Sequence, residues 1–149
     1  MSMILVVLVG VVGGLAGALQ GQLLGVMEDR AGTLMSTFIT YAGGGLAATV
    51  IVLVVGGARL ADLKDVPWWA YTAGLAGLVV VASLGITVSS LGLGAGLTLF
   101  TGASIAIGAL IDSFGLFGDA HSLDLRRLAG IAIVIFGTWL VVGTDSVVG

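Results

Sequence analysis

Long apolar runs alternate with short polar stretches along the whole chain. The runs cover residues 4–27, 33–57, 68–88, 91–111 and 125–142. Each approaches the roughly 20 apolar residues that a helix needs to cross the hydrocarbon core of a bilayer. None shows the alternation of polar and apolar residues that is typical of a membrane β-barrel strand. The pattern predicts five transmembrane helices in an all-α integral membrane protein, with residues 1–149 forming one membrane domain.

The polar stretches mark where these predicted helices end. Glu28, Asp29 and Arg30 follow the first run, and the polar stretch before Pro67 precedes the paired Trp68 and Trp69. Tryptophan is enriched at the membrane–water interface, so this pair is expected at the mouth of the third helix. Charged residues lie at the ends of the runs and not in their middles.

The composition supports the same class and excludes several others. The chain is 58% hydrophobic and 9% charged, with a mean hydropathy of +1.24, whereas about 25% charge is usual for soluble domains. The absence of cysteine excludes disulfides and thiol catalysis. His121 is the single histidine, so no metal is expected. No catalytic triad, cofactor motif or basic stripe is present, so neither an enzyme nor a nucleic-acid partner is expected.

Lysine and arginine in the connections predict the orientation. Arg59, Lys64, Arg126 and Arg127 fall on the side of the N-terminus, against Arg30 on the other side. Positive residues favour the cytoplasmic face. The N-terminus is therefore expected in the cytoplasm and the C-terminus outside, in a multi-pass protein of the cell (inner) membrane.

Glycines recur at helical spacing on two of the predicted helices. They are Gly13, Gly17 and Gly21 on the first helix and Gly92, Gly96 and Gly108 on the fourth. Small residues four apart let membrane helices approach closely. The pattern is compatible with packing inside one chain, with a seam between subunits, or with a sliding surface in a transporter.

Polar side chains within the apolar runs are the candidates for a substrate path. They are Gln20 and Gln22 on helix one, Thr37, Thr40 and Tyr41 on helix two, and Thr101, Ser104 and Asp112 on helix four. Polar groups inside a membrane face protein or water. The alternative is structural: the amides could bond neighbouring helices, the hydroxyls could bond their own helix, and Asp112 could cap the turn that follows it.

Several motifs resemble those of a known family. They are Val66-Pro67-Trp68-Trp69, the stretch from Ile111 to Gly118 (Ile-Asp-Ser-Phe-Gly-Leu-Phe-Gly), Phe38-Ile39-Thr40-Tyr41 before a glycine triplet, and Gly17 with Gln20. Together they resemble the YdcZ-type family, small inner-membrane proteins classed as exporters within the drug/metabolite transporter (DMT) superfamily. The resemblance covers nearly the whole chain.

The resemblance implies a half-sized DMT-type bundle that works as an antiparallel dimer. The partner would be a second copy of the chain or an oppositely oriented homologue. Inverted repeats of this kind give alternating access around a midplane site. The family's usual histidine after the aspartate is Ser113 here, and an asparagine common on its first helix is replaced by Gln22 or Leu24. Related small multidrug exporters carry a glutamate in the middle of helix one, whereas Glu28 is expected at the helix end.

The sequence thus predicts a secondary transporter that exports a small organic molecule, with the lipid bilayer as its surroundings and no cofactor. Few acids lie within the apolar runs, which favours neutral or weakly polar substrates. The competing prediction is a non-transporting assembly or accessory subunit whose glycine faces serve association alone. No ring of charge or filter-like loop supports an ion channel.

Overall fold

A computed structural model describes residues 2–56, 63–64, 66–115 and 124–145 of the chain. The helices are α1 (Met3–Val55), α2 (Ala73–Phe114) and α3 (Leu125–Asp145). A short 3-10 helix, Trp68–Thr72, leads into α2. These described ranges contain no strand. The all-α prediction is therefore confirmed.

Side-chain and glycine caps define the helix ends. The Ser2 hydroxyl accepts a hydrogen bond from the backbone N–H of Leu5 at 3.4 Å. At the start of α3, an Asp124 carboxylate oxygen accepts from the N–H of Arg127 at 2.8 Å. Both residue types are favoured caps because they satisfy backbone donors that have no partner within the helix. α1 and α2 end at Gly56 and Gly115, which have positive φ angles of 65° and 61°.

A single glycine interrupts the helical backbone in each of the two long helices. Gly32 in α1 has φ 76° and ψ 168°, and Gly92 in α2 has φ 79° and ψ 166°. This region of backbone space is essentially restricted to glycine. Because Gly32 and Gly92 have nearly the same φ and ψ, the backbone changes direction in the same way at both glycines.

The chain folds back on itself at Gly92. A Cβ placed on Gly96 would lie 2.9 Å from the Cα of Val88. In a continuous helix, eight residues would separate these positions by about 12 Å. The same argument holds at Gly32, where the Ser36 hydroxyl donates to the Glu28 carboxylate at 3.0 Å across eight residues. We call α1 (residues 3–55), which reverses at Gly32, the first hairpin, and α2 (residues 73–114), which reverses at Gly92, the second hairpin.

The two hairpins are related by a repeat of sixty positions in the sequence. Gly-Leu-Ala-Gly occupies residues 14–17 and again 74–77, Leu-Gly occupies 24–25 and 84–85, and the reversing glycine is Gly32 in one and Gly92 in the other. The apolar pattern of the sequence did not reveal this repeat, because apolar residues dominate both segments and obscure the few positions that match.

The hairpins pack against each other through equivalent positions. A Cβ on Gly25 would lie 2.7 Å from Val88, and a Cβ on Gly85 would lie 3.2 Å from the Glu28 carboxylate. Residue 85 is the counterpart of 25, and 88 is the counterpart of 28. The two contacts are therefore reciprocal, as in an interface with two-fold symmetry. Leu24, Val81, Leu84 and Val88 form the buried core beside them.

The helix bounds differ from the predicted bounds near the two reversals. Glu28, Asp29 and Arg30 remain helical, and the break comes at Gly32. In α2 the break lies at Gly92, inside the region of residues 89–94 where the sequence predicts a turn, and Ser89 and Ser90 remain helical. Polarity marks where a helix leaves an apolar environment, whereas the turn itself needs a backbone that only glycine provides. Arg59 and His121 lie outside the described residues.

Candidate transport site

A carboxylate lies inside the first hairpin, next to its reversing glycine. Glu28 accepts hydrogen bonds from the hydroxyl of Thr33, at a short distance, and from the hydroxyl of Ser36 at 3.0 Å. Ser36 is 1% exposed, and Glu28 is half-buried. Gly85 of the second hairpin packs against this carboxylate. The reversal at Gly32 brings the three polar side chains together, and the glycine at position 85 leaves them room.

The predicted polar residues of helix two continue from this cluster. The hydroxyl of Thr40 donates to the backbone oxygen of Ser36 at 2.8 Å. Tyr41 packs against Gly77, whose added Cβ would collide with the phenol oxygen. The hydroxyl oxygen of Thr37 is buried and has no hydrogen-bond partner. Among the predicted polar residues of helix two, Thr37 is thus the one whose hydroxyl forms no hydrogen bond within the chain.

A cavity beside Thr37 borders the Glu28 cluster through Thr33. Its volume is ≈ 580 Å³, and it is lined by Thr33, Leu34, Thr37 and Phe38 of the first hairpin and by Leu78, Val79 and Ala82 of the second. Thr33 also donates to Glu28. The carboxylate cluster therefore has one side chain in common with the cavity wall.

Gln20 and Gln22 lie apart from this cluster. Both are exposed on the surface of α1 within the single chain. Gly21 between them packs against Val88, Leu93 and Leu97 of the second hairpin. The two amides therefore lie beside the contact between hairpins, and a role for them in a substrate path stays a prediction.

The predicted residues of helix four line a second region, between α2 and α3. Thr101 is exposed and lines a cavity of ≈ 520 Å³, together with Thr98, Gly102 and Thr138. The hydroxyl of Ser104 donates to the backbone oxygen of Phe100 at 2.8 Å, which is a bond within its own helix. The described structure does not place these hydroxyls beside Glu28.

Asp112 lies near the end of α2 and is exposed. It lines a cavity of ≈ 470 Å³ that Arg127 of α3 also lines, together with Gly108 and Gly130. The backbone oxygen of Asp112 accepts from Gly115 at 3.3 Å, at the turn that follows. An acid and a base on facing helices thus border one opening, whose other walls are apolar or glycine.

The predicted glycine faces divide into two kinds. Gly21 packs against the second hairpin, Gly96 packs against Thr87 and Val88, and Gly92 forms the reversal. By contrast, Gly13, Gly17 and Gly108 have no neighbouring atom within 4 Å of an added Cβ. Packing inside one chain therefore accounts for the first group and not for the second.

The sequence did not single out Glu28 as a candidate, because three adjacent charged residues indicated a helix end. The repeat of sixty positions contains a signal that could have found it. The counterparts of Glu28, Thr33 and Ser36 in the second hairpin are Val88, Leu93 and Gly96. A set of three polar residues therefore stands where the equivalent hairpin has apolar or small ones.

The exposed surface and the helices define the class of protein. Three helical stretches are long and apolar enough to cross a membrane: Met3–Val55, Trp68–Phe114 and Leu125–Gly143. Large apolar side chains such as Leu15, Leu19 and Leu46 are more than 60% exposed. Contiguous exposed apolar surface on this scale is unfavourable in water. The chain is an integral membrane protein built of helices.

Its family follows from the comparison with known proteins. Residues 5–140 match the model of the family DMT_YdcZ, described as "Putative inner membrane exporter, YdcZ". The chain belongs to this family, so the resemblance identified from its motifs is confirmed. The family name places it in the inner membrane and classes it with exporters. Neither a curated protein nor a solved structure matches the chain significantly.

Proposed function

We propose that this chain is a secondary transporter that exports a small organic molecule by alternating access within a dimer. The observation that carries the proposal is the family match over residues 5–140, to a family described as an inner-membrane exporter. The cavity beside Thr37, lined by both hairpins with mostly apolar side chains, is the opening that such a path would use. A path between elements that move relative to each other is what alternating access requires.

Each chain would cross the membrane five times. An unbroken helix of 53 residues would be about 80 Å long, whereas the hydrocarbon core is about 30 Å thick. The reversals at Gly32 and Gly92 divide α1 and α2 into four segments, residues 3–31, 33–55, 73–91 and 93–114. With α3, each segment is long enough for one span, and the first, residues 3–31, extends beyond it. The charge distribution favours the N-terminus inside and the C-terminus outside.

The dimer would form through the part of α1 that the chain leaves uncovered. Gly13 and Gly17 lie on a stretch where no other element approaches within 4 Å of an added Cβ, and Leu15 is 64% exposed. Small residues four apart let a second helix pack closely in lipid. The partner would be an inverted copy or an oppositely oriented homologue, as the resemblance implies.

Cysteine accessibility tests the path whatever the chemical identity of the substrate. The chain has no native cysteine, so Thr37→Cys and Thr101→Cys report on one position each. In proteoliposomes, we expect a membrane-impermeant thiol reagent to modify Thr37→Cys. Leu53→Cys is the control, since Leu53 is 76% exposed on an apolar surface and would face lipid. A Thr37→Cys that is as unreactive as the control from both sides would contradict the path.

The alternative function is a non-transporting assembly or accessory subunit. The observation in its favour is that the hydroxyls of Thr40, Thr98 and Ser104 all donate to their own helix, which needs no aqueous path. Flux separates the two. An exporter would release at least one compound from a panel of neutral and weakly polar molecules loaded into proteoliposomes, above the rate of protein-free liposomes. An accessory subunit would release none.

A further inference from the structure

A groove follows the contact between α2 and α3 on one side. The two helices touch where a Cβ on Gly102 would collide with the Thr138 hydroxyl. Beside this contact lie two cavities, of ≈ 520 Å³ and ≈ 470 Å³, and Ile105 and Val134 line both of them. The two cavities therefore adjoin, and we call them together the α2–α3 groove. It extends from the middle of the helices to the end of α2 and the start of α3.

Two side chains of opposite charge lie at this end of the groove. Asp112 is the only ionisable residue of α2, and it lines the groove together with Arg127 of α3. Both are exposed. Within the described residues the two form no ion pair, and the turn after α2 uses the backbone oxygen of Asp112, not its carboxylate. The groove therefore presents a carboxylate and a guanidinium to a third group.

The helix ends reinforce this separation of charge. The C-terminal end of a helix favours cations, and the N-terminal end favours anions. Asp112 lies in the last turn of α2 and Arg127 in the first turn of α3. Each charged side chain therefore acts in the same sense as the helix end that carries it. A cation is favoured at Asp112 and an anion at Arg127.

The other charges at this end cancel one another. The Asp124 carboxylate accepts from the backbone N–H of Arg127 at 2.8 Å, and Arg126 is exposed and does not line the groove. The described residues at the end of α2 and the start of α3 thus include two acids and two bases. A ligand of one sign gains nothing from a net charge here, whereas a zwitterion can place each of its charges beside an opposite one.

Away from the charged end, the groove is apolar or lined by glycine. Gly108 and Gly130 line it, and neither has a neighbouring atom within 4 Å of an added Cβ. These two glycines therefore leave space that the packing of α2 against α3 does not use. Both helices are long and apolar enough to cross a membrane, so the groove leads from charged groups at the helix ends into the hydrocarbon region. A phospholipid has this order of polarity, with a charged headgroup followed by acyl chains.

We propose that the α2–α3 groove binds one phospholipid whose headgroup carries a phosphate and a primary ammonium, as in phosphatidylethanolamine. The Arg127 guanidinium donates to the phosphate in a charge-assisted pairing, and the ammonium donates to the Asp112 carboxylate. One acyl chain follows the groove past Gly108 and Gly130. Basic pockets between transmembrane helices hold lipid headgroups, and the acid at this groove selects for the ammonium. Binding here does not depend on the proposed export, and it gives Asp112 a role outside a substrate path.

A third cavity between the same two helices provides a contrast. It has a volume of ≈ 490 Å³, shares only Gly102 and Thr138 with the α2–α3 groove, and has no charged residue in its lining. An acyl chain could occupy that cavity whatever its headgroup. A preference for one headgroup is therefore the property that identifies binding in the α2–α3 groove.

The test is the thermal unfolding midpoint of the purified protein in detergent micelles that contain one phospholipid at a fixed mole fraction. Three lipids with the same acyl chains are compared: phosphatidylethanolamine, phosphatidylcholine, whose ammonium has no N–H, and phosphatidylglycerol, which has no ammonium. Binding to the folded state raises the midpoint. We expect phosphatidylethanolamine to raise it by several degrees more than either of the others. Asp112→Asn should remove this preference and Arg127→Gln should reduce it, whereas Arg126→Gln, outside the groove, should retain it.

Gly130→Leu tests the apolar part of the groove, because a leucine there would fill space that no neighbouring atom occupies within 4 Å of the added Cβ. It should lose the response to phosphatidylethanolamine. Gly44→Leu is the matched control, since Gly44 also has nothing within 4 Å of an added Cβ and lies on α1. This variant should keep the response.

Three results would overturn the proposal. The first is a wild-type midpoint that does not rank phosphatidylethanolamine above the other two lipids; if Gly130→Leu then also dissociates the dimer, a second copy of the chain covers the groove. The second is a preference that persists in folded Asp112→Asn. The third is an equal effect of free phosphoethanolamine, which would assign the groove to a soluble zwitterion. None of these measurements involves flux, so they are independent of the tests of export.

Discussion

At the scale of single residues, close approach between the hairpins depends on glycine. A Cβ on Gly25 would lie 2.7 Å from the side chain of Val88, closer than two carbon atoms can approach without displacement. Gly44 is also helical, but it has nothing within 4 Å of an added Cβ. Packing therefore requires a glycine at position 25 and not at position 44, although the sequence alone does not distinguish the two.

We expect Gly25→Ala to destabilise the protein by about 1–3 kcal/mol, which is the usual cost of overpacking a filled contact. Gly44→Ala should leave stability unchanged or slightly increased, because alanine is the better helix former. Reversible unfolding in mixed micelles would measure both. A Gly25→Ala protein as stable as Gly44→Ala would show that the contact with Val88 is not formed.

Thr37 gives a second prediction at this scale. Its buried hydroxyl has no partner, and a buried unsatisfied polar group costs about 1–3 kcal/mol. Thr37→Val keeps the shape and removes the hydroxyl, so we expect a higher unfolding midpoint together with slower export. Thr40→Val is the matched control, because the Thr40 hydroxyl is bonded to Ser36 at 2.8 Å and its loss should not stabilise. A destabilised Thr37→Val would contradict the unsatisfied state of this hydroxyl.

At the scale of elements, the two reversing glycines decide the topology. Gly92 has a φ of 79°, a conformation in which a Cβ is strained by about 1–3 kcal/mol. Gly94, two residues later, has helical backbone and nothing within 4 Å of an added Cβ. We expect Gly92→Ala to lower the free energy of unfolding by that amount, and Gly94→Ala to change it little. Gly32→Ala should behave as Gly92→Ala does, and equal stability of all three variants would argue against both reversals.

The repeat at the element scale also explains why the polar cluster stood out only in three dimensions. Residues 24–25 and 84–85 are Leu-Gly in both hairpins, and Leu24 and Leu84 are both buried. Against this common frame, Glu28 and Val88 differ in charge while they occupy equivalent contacts. A glutamate followed by two other charged residues indicates a helix end. Only the reversal at Gly32 shows that the Glu28 carboxylate faces Thr33 and Ser36.

At the scale of the whole molecule, the stretch of α1 around Gly13 and Gly17, which no other element covers, is where a partner would bind. Gly17 has no neighbouring atom within 4 Å of an added Cβ, so Gly17→Leu should leave the fold of the single chain intact and weaken the proposed dimer. Gly21→Leu, one turn along, should destabilise the chain itself, since Gly21 packs against Leu93 and Leu97. The mass of the protein–detergent complex by light scattering and the unfolding midpoint would separate the two effects. A Gly17→Leu protein that remains dimeric would place the interface elsewhere.

The sequence by itself determined the class of the protein. Uninterrupted apolar runs can be stable only as helices in lipid, since every backbone donor and acceptor must be satisfied within the segment. Its motifs also identified the family, and its polar residues on helix two include Thr37, which lines a cavity. These conclusions depend on composition and on neighbours in sequence, and not on how the helices pack.

Only the tertiary structure shows where the Glu28 carboxylate lies and which glycines pack against the opposite hairpin. Glu28 faces Thr33 and Ser36 because the chain reverses at one residue, and a reversal depends on the φ and ψ of Gly32, which apolar periodicity does not reveal. Likewise, Gly25 and Gly85 touch the opposite hairpin while Gly13 and Gly17 do not. The contacts of residue 25 with residue 88 and of residue 28 with residue 85 are set by how the two hairpins pack. The glutamate predicted near a helix end therefore also contacts the opposite hairpin.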